Sequence, residues 1–207
     1  MKIGWLLHPD LKPLLRHGSV AFLAVITGVV FAESGLLIGF FLPGDSLLFS
    51  AGLVLALADR GDLLLALLPL VFIGAALGDQ VGYMFGARVG PSLFTRPDSR
   101  LFKQENVTRS HEFFERHGPR ALVLARFVPV VRTFTPILAG VSGMRYRTFV
   151  AYNLVGAALW STLALLIGYG LGDRFPKLES YLTPILLVIV VLSVIPILLE
   201  LRRGRRD

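Results

Sequence analysis

Residues 125–140 read Ala-Arg-Phe-Val-Pro-Val-Val-Arg-Thr-Phe-Thr-Pro-Ile-Leu-Ala-Gly. Nearly every side chain is apolar, yet Arg126 and Arg132 stand among them with Pro129 and Pro136 close by. An arginine near the middle of a bilayer costs on the order of 3 kcal/mol on insertion scales. Two in one short stretch point to a polar cavity, a partner charge or a bound anion. Proline lacks a backbone donor, so a broken helix is expected here, with the break at 129–135. Residues 33–45, Glu-Ser-Gly-Leu-Leu-Ile-Gly-Phe-Phe-Leu-Pro-Gly-Asp, answer with the opposite charge, and a second break is expected at 36–44.

The spacing of the charges supports both breaks. Arg126 and Arg132, six apart, would sit about 120° apart around a continuous helix. Glu33 and Asp45 would diverge by about 120° as well and lie about 18 Å apart along the axis. Broken helices let all four converge.

The bulk composition fits a membrane. Of 207 residues 54% are hydrophobic and 17% charged, and the mean hydropathy is +0.68; a soluble domain of this length carries more charge. Apolar runs lie near 20–58, 63–87, 121–143, 149–171 and 184–201. The first continues through Glu33 into more apolar sequence with no small-x-small site, unlike a cleaved signal peptide. With no cysteine, disulfides, thiolate metal sites and cysteine nucleophiles are excluded. No spacing suggests a metal site, and no cofactor is expected. The net charge of +7 lies mainly in membrane-flanking segments, which fits orientation and anionic lipid rather than nucleic acid.

The arms 20–35 and 46–58 would reach only about 24 and 20 Å, short of a hydrocarbon core of about 30 Å, so a re-entrant hairpin is expected. Residues 63–87 are long enough to span, and glycines at 74, 78, 82, 86 and 90 line one face for close helix packing. Residues 88–120 read as an amphipathic surface helix. A second hairpin, a span at 149–171, a last span at 184–201 and a basic tail follow. Arg16-His17-Gly18 and Arg116-His117-Gly118 each precede a broken element and a span. The expected fold is therefore an all-α integral membrane protein, an inverted repeat of re-entrant hairpin plus transmembrane helix, with an interfacial amphipathic helix and a C-terminal transmembrane helix. It forms one membrane domain, 1–207, divided into 18–90, 91–117, 118–172 and 173–207. Transporters with inverted repeats place their sites between broken helices near the midplane.

Of the 21 basic residues, Lys2, Lys12, Arg16, Arg60, Arg174 and Lys177 fall on the N-terminal side, thirteen on the other, and Arg126 and Arg132 inside. The excess predicts a cytoplasmic C-terminus.

Two arginines suit an anionic headgroup, because guanidinium grips phosphate through paired donors and stays charged. Glu33 and Asp45 can neutralise them or take up a proton or cation; alternatively the four charges form salt bridges that only hold the hairpins together. Asp79 either joins this site or caps the glycine-lined helix at the interface. His17, His111 and His117 are expected in solvated roles. Tyr83, Trp160, Tyr169, Asn153 and Gly156 are expected in anchoring or helix packing.

Glu33 with Phe41-Leu42-Pro43-Gly44-Asp45, Gly78-Asp79 with Gly82-Tyr83, Arg126-Phe127-Val128-Pro129-Val130-Val131-Arg132-Thr133, and Ala139-Gly140 closely resemble the DedA family, the prokaryotic branch of the SNARE-associated (VTT-domain) membrane proteins. The similarity covers roughly 18–172, with no departure at the charged positions. It implies a bacterial inner-membrane protein with two facing re-entrant hairpins that moves phospholipid or undecaprenyl phosphate between leaflets in dependence on the proton motive force. In that family the functional acidic and basic pairs correspond to Glu33, Asp45, Arg126 and Arg132. The expected function is lipid translocation, with Arg126, Arg132, Glu33 and Asp45 binding substrate and Glu33, Asp45 and Asp79 coupling protons. The competing expectation is a proton-coupled small-cation or drug transporter. A lipid phosphatase is disfavoured, since no histidine falls in the apolar core, and the chain is expected not to be an enzyme. A non-transporting scaffold and a homo-oligomer both stay open.

Overall fold

The computed structural model describes residues 11–35, 44–93, 113–114 and 116–175, with the backbone alone at 11–17, 89–93, 129 and 130. The tip 36–43, most of the surface helix 91–117, the last span 184–201 and the basic tail lie outside the described residues. Among the described residues every regular element is helical: α1 (Leu11–Gly35), α2 (Gly44–Leu57), α3 (Gly61–Leu93), α4 (Arg120–Ala125), α5 (Pro129–Val141) and α6 (Tyr146–Arg174). Three are long and apolar enough to cross a membrane, over Gly18–Gly35, Gly61–Arg88 and Tyr146–Arg174. Their outer faces carry Leu70, Ile73, Leu77, Val81 and Met84 on α3 and Val155, Leu159, Leu163 and Ile167 on α6, all exposed. Apolar stripes of this extent are what a helix turns toward lipid.

The first arm is longer than the apolar run alone indicated. α1 extends back through the polar lead-in to Leu11, giving 25 residues. Pro13 is no obstacle there, because the first turn of a helix has no acceptor for its missing N–H. The break in the second arm also falls earlier than expected, at 126–128. A residue that precedes proline is driven out of the α region, and Val128 is extended at φ −114°, ψ 107° with Pro129 opening α5. Pro136 sits inside α5 without ending it.

The helix starts recur at one spacing. α2 begins at 44 and α5 at 129, α3 at 61 and α6 at 146, so both pairs are offset by the same 85 positions. Both short helices end alike. After α2, the Arg60 N–H bonds to the Leu55 carbonyl and the Asp59 N–H to Ala56; after α5, the Met144 N–H bonds to Ala139 and the Gly143 N–H to Gly140. Each is a Schellman closure around one left-handed residue, Asp59 at φ 57° and Gly143 at φ 72°. The triplets differ: residues 16–18 lie within α1, whereas Gly118 is left-handed at φ 66°.

The chain divides into two compact units. In the first, α1 to Val29, α2, α3 to Val71 and α6 from Ser161 bury Leu48, Leu53, Leu55, Leu67 and Leu165. Here α2 meets α6 where Gly168 faces Phe49 and Leu53. In the second, α1 from Val30, α3 from Phe72, α4, α5 and α6 to Trp160 enclose Tyr83, Phe114, Leu122, Ala139 and Phe149. The Tyr83 ring stacks on Phe149 at 4.4 Å, and its hydroxyl donates to the Met144 carbonyl at 2.5 Å. Glycines of the α3 stripe do face neighbours: Gly78 meets Gly35 of α1, while Gly82 and Gly86 meet Pro136 and Ile137 of α5. In lipid, where apolar contact drives association only weakly, such close backbone approach supplies the packing.

Candidate functional site

The second unit carries the buried charge. Arg126 occupies the turn that closes α4, and Arg132 lies in the first turn of α5, so the break at 126–128 separates them and frees them from one helical phase. Both are buried, with 7% and 8% of their surface exposed, as are Glu33 at 6% and Asp79 at 3%. Charges so deeply removed from water need partners.

Arg132 Nη2 donates to Glu33 Oε1, an ion pair joining α5 to the end of α1. The helix dipoles disfavour each charge where it stands: Glu33 lies in the last turn of α1, near the negative end, and Arg132 near the positive end of α5. The pair compensates both. The Arg132 guanidinium also lies over the Trp160 ring, 4.4 Å from its centroid, a cation–π contact.

Arg126 Nη2 is paired with Asp79 Oδ2 and donates to Asn153 Oδ1 at 2.7 Å. Asp79 stands well inside α3, so it joins the polar site and does not cap the helix. Asn153 Nδ2 donates in turn to the Ala76 carbonyl of α3 at 3.3 Å. Gly156 leaves room for the Arg126 stem: a Cβ there would stand 2.8 Å from Arg126 Cδ.

Glu33, Asp79, Arg126 and Arg132 are thus brought into the second unit as two buried ion pairs. Asp45 lies in the first turn of α2, half-buried, in the first unit. A helix N-terminus favours a carboxylate. His117 is exposed, its Nδ1 3.0 Å from the Phe113 carbonyl, consistent with a solvated role; His111 and the His17 side chain lie outside the described residues.

Asn153 and Trp160 do more than the packing and anchoring expected of them, since each holds an arginine. One signal was present in the sequence: Asn153 is an amide within an apolar helix, and 153, 156 and 160 recur at i, i+3 and i+7 on one face.

Chemically, two guanidiniums on either side of a helix start offer donors to a tetrahedral oxyanion. The two carboxylates hold that charge in balance and are groups that a proton can neutralise.

Comparison with known proteins gives the family. The VTT domain family matches residues 19–170, which include every charged residue of the site. Protein DedA of Escherichia coli (strain K12) is 39% identical over 206 residues, covering 99% of this chain and 94% of its own. An uncharacterized membrane protein of Mycobacterium leprae (strain TN) is 42% identical over 207 residues, covering 97% and 91%. Inner membrane protein YqjA of Escherichia coli (strain K12) is 33% identical over 189 residues, covering 90% and 85%. No solved structure matches the chain. With three long apolar helices among the described residues and a domain match over most of its length, the chain belongs to the DedA family of VTT-domain membrane proteins.

Proposed function

We propose that this protein is a lipid translocase of the bacterial inner membrane, moving a phosphate-bearing lipid such as undecaprenyl phosphate or a phospholipid between leaflets in a step linked to the proton motive force. The observation that carries the proposal is the pair of buried arginines, each held by a carboxylate and set on either side of a helix break. A permanent scaffold has little use for two such pairs, since buried ion pairs seldom add net stability over apolar packing. A phosphate entering the site displaces the carboxylates from Arg126 and Arg132, while the hydrocarbon chain stays in the bilayer. Protonation of Glu33 or Asp79, with Asp45 as a third acceptor, lowers the cost of that exchange, and deprotonation resets the pairs.

α2 and α5, at 14 and 13 residues, extend only about 20 Å at 1.5 Å per residue, too short to cross alone. In this reading each is the returning arm of a re-entrant hairpin, and the two hairpins enter from opposite membrane faces. The carboxylates also support a second reading, a proton-coupled transporter of small cations or drugs. Substrate-dependent proton flux in vesicles without phosphate headgroups would favour it.

The test is headgroup translocation in proteoliposomes. A charge-assisted hydrogen bond contributes about 1.5–3 kcal/mol, so Arg126→Ala and Arg132→Ala should each slow translocation about tenfold or more. Undiminished movement in both variants would exclude the phosphate grip.

A further inference from the structure

We infer that one face of α6, carrying Asn153, Gly156 and Trp160, is the positioning element of the anion site: it keeps both guanidiniums in place while their carboxylates are exchanged for a phosphate-headed lipid. The inference rests on the phosphate reading above and adds the residues that orient its two arginines.

Positions 153, 156 and 160 share one helical stripe, and each touches an arginine. Asn153 Oδ1 accepts from Arg126 Nη2 at 2.7 Å. Gly156 forms the slot for the same side chain, where a Cβ would come within 2.8 Å of Cδ and 3.1 Å of Nε. The Trp160 ring carries the Arg132 guanidinium at 4.4 Å. None of the three is ionisable, so their hold persists whether Asp79 and Glu33 are charged, protonated or displaced. Asn153 is itself anchored, through Nδ2 to the Ala76 carbonyl at 3.3 Å. An amide bonded at both ends fixes the direction of Arg126 yet occupies only part of a fork of five donors.

Neutrality is the informative feature. If the task at 153 were only to stabilise a buried cation, a carboxylate would do it more strongly. With Asp79 already balancing Arg126, a second carboxylate would make the site net negative and compete with any arriving anion. The amide orients the guanidinium without adding a charge that competes with the anion.

The test uses the full chain in maltoside micelles, which contain no phosphate. Trp5→Phe leaves Trp160 as the single indole of the two, and its emission reports on the Arg132 environment. Dodecyl phosphate is titrated against dodecanol, with Arg126→Ala run alongside. The expected result is a saturable change with dodecyl phosphate alone. Asn153→Asp, nearly isosteric, should weaken that response about tenfold or more, because the added carboxylate holds Arg126 and repels the phosphate. Asn153→Gln, which keeps the amide, should recover most of it. Gly156→Ala should also weaken it; this variant changes no charge and covers the case in which Asn153→Asp fails to fold.

If the parent responds, Arg126→Ala does not, and both Asn153→Asp and Gly156→Ala titrate like the parent, the α6 face positions nothing and this inference alone falls. Equal losses in Asn153→Asp and Asn153→Gln, each with a matching fall in thermal unfolding temperature, would mark the face as structural and overturn it too. No phosphate-specific response in the parent would remove the phosphate reading and this inference together.

Discussion

Arg126 has two partners of different kinds, and removing the charged one leaves a cation stranded in an apolar site. Breaking a buried ion pair from one side costs about 3–5 kcal/mol, so Asp79→Asn should lower stability by that order. The double variant Asp79→Leu, Arg126→Leu should recover most of the loss while abolishing translocation. Thermal unfolding of the detergent-solubilised protein measures both; an Asp79→Asn protein as stable as the parent would mean the pair does not form. Arg132 is held by Glu33 and by the face of Trp160. A desolvated cation–π contact contributes about 2 kcal/mol, so Trp160→Leu should cost about that much, whereas Trp160→Phe should cost less. At this scale the sequence was informative about which residues matter and poor about who meets whom. Arginines in an apolar run announce themselves, but Glu33 and Arg132 are 99 positions apart.

At the scale of the element, proline and glycine chemistry decides where helices stop. Val128 is extended because Pro129 follows it, which moved the break ahead of the expected 129–135 and left Arg126 in the turn. Gly143 closes α5 at φ 72°, a conformation that costs an L-residue about 1–2 kcal/mol. Gly143→Val should therefore destabilise by about that amount through strain alone, since no atom lies within 4 Å of the added Cβ. The equivalent turn after α2 carries Asp59 at φ 57°, and Asp59→Gly should be neutral or stabilising by up to about 1 kcal/mol. Unfolding midpoints that move in the opposite directions would contradict the two closures. The helix crossing is a different matter. Gly140 packs its backbone against Tyr83 and Ala87 of α3, so Gly140→Leu should push α5 away and carry Arg132 with it.

For the whole molecule, α2–α3 and α5–α6 start at a common offset of 85 positions, and the proposed inverted repeat expects the two copies to enter from opposite faces. The chain has no cysteine, so single-cysteine labelling needs no background substitutions. A cysteine replacing Asp62, exposed at the start of α3, should label from outside intact cells. One replacing Arg147, exposed at the start of α6, should label only after permeabilisation. Labelling of both from the same side would end the inverted arrangement.

Hydropathy, the charge set within apolar runs and the positions of proline and glycine determined from the sequence alone that this is a helical membrane protein with charges buried among apolar helices and a break beside Pro129; the other expected break, at 36–44, lies outside the described residues. These are local properties, carried by the residues that show them. Which carboxylate reaches which arginine, why Asp79 belongs to the site, and that Asn153, Gly156 and Trp160 hold the guanidiniums were decided only by tertiary packing. The reason is geometric: side chains on α1, α3, α4, α5 and α6 reach one another only after close helix crossings set their rotation and depth, and no periodicity within a single helix encodes that.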